Sequence, residues 1–304
     1  MWPSRASVAT VERMTFNDNA RIDSSKVKRR GRTTAIAGGG GLVGVVAIFL
    51  ISQFLGVDLS GLAGGGQAGA DEAIVGCDTG ADANSDQDCR LAAAADSISG
   101  YWADELPALG GSYADPGVIL FDAQTTTGCG AASSATGPFY CPPDSTVYID
   151  PTFFAELRDR YGSSGGPLAE MYVLAHEWGH HIQNLRGTMD QLDRTATGPS
   201  SDGVRLELQA DCFAGAWVGA ASTEADDTGT PLLKQPTDAE LADALSAASA
   251  VGDDRIQQAT TGQVDSDSWT HGSSEQRQRW FTQGYNQGAA DCDTFAAPAR
   301  DFEQ

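Results

Sequence analysis

The chain has 304 residues, with 41 acidic against 19 basic side chains and a formal net charge of −22, which is length enough for one large domain or two small ones. The charge is unevenly divided: residues 1–32 hold eight of the Lys and Arg side chains against three acids, leaving 11 basic and 38 acidic residues beyond them. So acidic a body excludes nucleic acid as a partner, because a nucleic-acid-binding domain clusters its cations on the folded unit.

In chain order, the first feature is the uncharged run from Thr33 to Val57, 25 residues that as a helix would extend about 37 Å and cross a bilayer. The cluster KVKRRGR lies on its N-terminal side. The positive-inside rule therefore predicts a cell-membrane protein with a single span: residues 1–32 a cytoplasmic basic head, 33–57 a transmembrane helix, 58–76 a Gly/Ala-rich linker and 77–304 an extracytoplasmic domain. A signal peptide cleaved at Ala68-Gly69-Ala70 is the rival reading. Cys77, Cys89, Cys129, Cys141, Cys212 and Cys292 all follow the span, and an even number of cysteines in an oxidising compartment reads as disulfides. The short gaps favour Cys77–Cys89 and Cys129–Cys141, which leaves Cys212–Cys292.

Within the domain, residues 90–106 read as a helix, and 117–122 and 146–150 as short strands. Pro151 opens a further helix. SSGGP before Leu168 and Gly187 after Arg186 bracket another. Apolar periodicity continues over 204–221, an acidic loop covers 224–236, one helix covers 238–258, and a serine-capped helix ends the chain in HGSSEQRQRWFTQGYNQG.

The bracketed helix carries VLAHEWGHHIQNLRG, with three of the four histidines in six residues. At 100° per residue, Met171, Leu174, Ala175, Trp178, Ile182 and Leu185 form a core stripe, with His176 and His180 together on nearly the opposite side. Two imidazoles one turn apart can share a tetrahedral Zn²⁺, and Glu177 between them can act as general base. His181 points elsewhere and is a surface or packing residue. Downstream, LELQADCFAGAW sets Glu207 and Asp211 on one helix face, the first suited to be a third ligand and the second to fix a histidine tautomer. Without the upstream motif the same pair would read as a solvated acidic face.

HEWGHH and LELQADCFAG, together with TGPFYCPPDSTVYID upstream and THGSSEQR downstream, resemble the bacterial neutral zinc metallopeptidases, many of them single-pass membrane proteins. The resemblance runs from MTFNDNARIDSSKVKRRG to the last helix. It implies a peptidase of the glutamate-zincin type, with His176, His180 and Glu207 as zinc ligands and Glu177 as base. The expected fold is α+β: a mostly helical zincin-like domain with a small β-sheet, after the N-terminal transmembrane helix.

The substrate would be a peptide or protein, and the strand at 146–150 could be the edge that pairs with it. His271, the one histidine outside the motif helix, could donate to the developing oxyanion. Three other functions are compatible with parts of the pattern: a zinc-dependent amide hydrolase of the cell envelope that is not a peptidase, a catalytically idle metal-bound binding module, and a purely structural anchor. An intact Glu177 disfavours the last two.

Overall fold

The structure is a computed structural model that describes residues 15–31, 70–193 and 195–302. Seven strands are described: β1 Val27–Arg30, β2 Asp71–Ala73, β3 Gly117–Phe121, β4 Gln124–Thr127, β5 Gly130–Ser133, β6 Phe139–Cys141 and β7 Thr146–Ile149. The α-helices among the described residues are α1 Gly80–Ser85, α2 Gln87–Ala108, α3 Phe153–Asp159, α4 Pro167–Leu185, α5 Asp202–Ala220, α6 Asp238–Ala250, α7 Asp253–Thr261 and α8 Ser274–Gln287.

Five strands form a sheet in the order β2-β1-β3-β7-β6. β1, β3 and β7 run parallel, and β2 and β6 are antiparallel at the two edges. GVILF in β3 is a continuous apolar run because both of its faces are covered. Val118 and Leu120 join Tyr140, Val147 and Ile149 against the helices. Ile119 and Phe121 join Phe139, Cys141 and Tyr148 on the other face, beneath Ala132 of the β4–β5 hairpin. Cys77–Cys89, Cys129–Cys141 and Cys212–Cys292 are bonded, with Cα–Cα distances of 5.0, 5.9 and 5.5 Å; this is the pairing the spacing favours.

The α+β class, with a small sheet and a mostly helical remainder, stands, but three expectations change. First, residues 15–31 are no separate head. Phe16, Ala20 and Val27 are fully buried, the Asn17 N–H donates to the Leu232 carbonyl at 3.0 Å, and β1 lies between β2 and β3. The basic cluster is used inside the fold: Arg29 pairs with Asp88 and, at 2.6 Å, with Asp122, while Arg30 pairs with Asp71 at 2.6 Å. Arg30 is in register with Asp71 and Phe121, so residues 15–31 pack as part of the domain's sheet. The span predicted at 33–57, and the linker as far as residue 69, lie outside the described residues; among those described, no helix is long and apolar enough to cross a membrane.

Second, β7 is an interior strand. On that side the sheet ends at β6, which pairs with β7 through Phe139–Tyr148 and Cys141–Thr146, so the strand expected to meet a peptide is already flanked on both sides. Third, the helix expected over 238–258 is two helices. Gly252 caps α7 with extended backbone, and a Cβ there would lie 2.5 Å from the Ser274 amide nitrogen. The break lets Asp253 accept from the backbone N–H groups of Thr270, His271 and Gly272 at 2.8, 2.7 and 3.0 Å.

Candidate metal centre

Helix α4 starts on Pro167, whose fixed φ and missing N–H suit a first helical position, and ends before Gly187 in the left-handed region at φ 68°. Helix α5 is capped by Ser201, which accepts from the Val204 N–H. The two helices meet backbone to backbone, since a Cβ at Gly179 would lie 2.9 Å from Ala210 Cα. Any side chain at 179 would force them apart. This contact sets His176 and His180 of α4 opposite Glu207 of α5.

One donor atom from each of His176, His180 and Glu207 lies within 4.8 Å of the others, and all three side chains are buried. His176 Nε2 is 3.2 Å from Glu207 Oε2 and His180 Nε2 is 3.5 Å from Oε1. Behind the donors, His176 Nδ1 lies 2.8 Å from Asp211 Oδ1. A carboxylate only accepts, so Nδ1 carries a proton, and Nε2 is the ring atom turned toward Glu207. His180 Nδ1 lies 2.9 Å from the side-chain oxygen of Gln183. Two imidazole nitrogens and a carboxylate oxygen, converging and backed by acceptors, are the donor set that Zn²⁺ takes at a centre open to one more ligand.

Charges act strongly here. Burial alone would raise the Glu207 carboxyl, but the neighbouring His180, His176 and His271 hold it well below the usual carboxylate range. Burial would lower the His176 imidazolium, yet Asp211 and Glu207 push it up to about 9. The Glu177 carboxyl is pushed up by burial, and by Glu207, against the pull of His176, His180 and the Tyr140 N–H bonded to it. An edge-strand amide thus holds the carboxylate expected to be the base.

His181 is a packing residue. Its Nε2–H donates to the Ala114 carbonyl at 2.7 Å, which leaves Nδ1 to accept from the Tyr140 hydroxyl at 3.0 Å. With both ring nitrogens occupied, it has no lone pair for a metal.

His271 lies close enough for its charge and that of Glu207 to act on each other. Its Nδ1 is 3.2 Å from Asp253 Oδ1 and 2.9 Å from Thr270 Oγ1, and its buried Nε2 has no hydrogen-bond partner within the protein. A buried polar nitrogen without a partner is costly unless a ligand uses it. Burial would lower this imidazolium, and Asp253 and Glu207 raise it.

Several residues that support the site are absent from the sequence-derived set. Arg277 grips Asp211 with two bonds, Nε to Oδ2 at 2.7 Å and Nη2 to Oδ1 at 2.9 Å, and the Tyr172 hydroxyl donates to the same Oδ1. Gln183, Gln209, Asp253 and Tyr140 complete the surroundings. Helical spacing carries a signal for some of them. Tyr172 precedes His176 by one turn, Gln183 follows His180 by three residues, and Arg277 interrupts an apolar stripe with Trp280, Phe281 and Gly284, as a cation does when it meets a buried carboxylate.

A family model described as "Putative neutral zinc metallopeptidase" matches residues 11–295. The uncharacterized protein Rv2575 of Mycobacterium tuberculosis is 52% identical over 223 residues, 73% of this chain and 75% of that protein. The uncharacterized protein YpfJ of Escherichia coli K12 is 38% identical over 266 residues, 85% of this chain and 88% of that protein. No solved structure matches the chain.

Proposed function

We propose, from the premise that this chain belongs to the neutral zinc metallopeptidase family, that it hydrolyses peptide bonds in an oxidising compartment outside the cytoplasm. In this reading His176, His180 and Glu207 hold the metal. The carrying observation is their convergence within 4.8 Å beside a buried Glu177. Zinc, when bound, supplies Lewis acidity for the carbonyl and lowers the pKa of water.

The protein's own groups would do the rest. Glu177, whose raised affinity for protons suits a base, takes a proton from the attacking water and passes it to the leaving amine. His271, held by Asp253 at Nδ1, presents Nε2–H to the oxygen on which charge develops; the raised imidazolium pKa and the unpartnered Nε2 support this role. The edge strand β6, which reaches Glu177 through the Tyr140 amide, is the strand assigned in this reading to meet an extended peptide. The compartment is read from the three disulfides.

The test is digestion of a complex peptide mixture with and without chelator, by wild type and Glu177→Gln. Cuts should vanish with chelator, and fall about 10²- to 10⁴-fold in the variant while its zinc content stays at the wild-type level. Wild-type turnover in Glu177→Gln would remove it as the base, and a metal-loaded wild type that cuts nothing would remove the peptidase reading.

A further inference from the structure

The two histidines of the centre are backed by different chemistry. His176 leans on a charged group, Asp211 in the grip of Arg277. Behind His180 runs a chain of neutral amides, and every direction in that chain can be read from its far end.

At that end stands the Cys292 carbonyl, which only accepts, so the group facing it at 2.9 Å is the amide nitrogen of Gln209. The Gln209 oxygen therefore faces Gln183, whose nitrogen lies 3.2 Å away. That nitrogen also lies 2.7 Å from the Leu206 carbonyl, a second obligate acceptor. Both N–H groups of Gln183 are thereby used, and only its oxygen is left for His180 Nδ1 at 2.9 Å. Flipping either amide would set carbonyl against carbonyl in a buried site. Nδ1 of His180 consequently carries a proton, and Nε2 is the ring atom turned toward Glu207.

The end of the chain is covalently anchored, because Cys292 is bonded to Cys212, one turn beyond Gln209 on α5. We propose that Gln183 and Gln209 are positioning residues that set the tautomer of His180, and that the Cys212–Cys292 disulfide is the anchor of this relay, so that metal retention depends on a disulfide that touches no donor. The consequence for metal rests on the reading of His180 as a ligand; the tautomer does not.

The experiment is a long-range ¹H–¹⁵N correlation on the metal-free full chain at a pH where the ring is neutral, paired with zinc competition titrations. Wild type should carry the His180 proton on Nδ1. Gln183→Met and Gln209→Met should lose that preference and bind zinc more weakly, by about 10- to 100-fold in Gln183→Met and by less in Gln209→Met. Replacing both Cys212 and Cys292 by Ala should weaken zinc in the wild-type background but cost nothing further on Gln209→Met, whereas a merely structural disulfide would weaken both equally. If the disulfide variant does not fold, the tautomer and the two glutamine variants still decide. A wild-type His180 proton on Nε2, or Gln209→Met with unchanged tautomer and zinc affinity, overturns the relay. A wild type with the Nδ1 proton that takes up no zinc upholds the relay and overturns the metal reading instead.

Discussion

Where α5 crosses α8, the helices touch through glycine: a Cβ at Gly284 would lie 1.8 Å from the Cys212 carbonyl oxygen, and one at Gly215 would lie 2.0 Å from that of Phe281. Between them sits the buried Asp211–Arg277 pair, and the Cys212–Cys292 bond closes the same layer. The β-sheet is joined differently, by short strands, by ion pairs of partly exposed groups such as Arg29–Asp122, and by an arm whose Phe16 and Val27 plug apolar sites. Close backbone contact and paired buried charge leave the donor layer few alternative arrangements, whereas the arm's ties are separable. Changes in the helical layer should therefore reach the metal, and changes in the arm should reach stability and leave the metal in place.

The largest expected effect is that of Arg277→Met, which leaves Asp211 buried without its cation. It should cost about 3–5 kcal/mol of stability and also weaken zinc binding through His176; full zinc affinity in this variant would separate the Asp211 pair from the centre. Phe16→Ala should cost about 3–5 kcal/mol by opening a cavity while zinc stoichiometry in the folded protein stays unchanged. Zinc loss there would erase the distinction between the two layers.

Asp150→Asn comes next, at about 1.5–3 kcal/mol for hydrogen bonds to a charged group. Although burial opposes it, bonds from Ser134, Thr152 and the Ala123 N–H hold the Asp150 carboxyl below its ordinary value. A depressed folded pKa means that its contribution is complete above the unfolded pKa of about 3.9 and is lost as pH falls through the lower folded value. Denaturation of both forms should thus show a constant difference above about pH 5 that shrinks in stronger acid. Lys26→Ala removes a part-exposed pair with Asp115 at 3.3 Å and should cost at most about 1 kcal/mol, less at high salt.

The same contrast governs what could be read from the sequence. His176, His180, Glu207 and Asp211 are legible because a helix repeats every 3.6 residues and puts i and i+4 on one face. The support at Arg277 comes from a helix 66 residues away in sequence from Asp211, and no local period carries it. The packing of the arm is not legible for a physical reason: KVKRRGR beside an uncharged run has the charge asymmetry of a topogenic signal, while the partners of Arg29 and Arg30, which are Asp71, Asp88 and Asp122, lie 41 or more residues away in sequence. β6 is only three residues long and lies between prolines, too short to show alternation. The break at Gly252 is set by Ser274 of another helix.

The most direct test of the central claim is X-ray absorption at the zinc edge on the purified, metal-loaded protein and on Glu207→Ala. The account predicts two imidazole nitrogens at about 2.0–2.1 Å with oxygen and no sulfur in wild type, and loss of zinc in the variant. Sulfur around the metal, fewer than two imidazoles, or an unchanged centre in Glu207→Ala would contradict it.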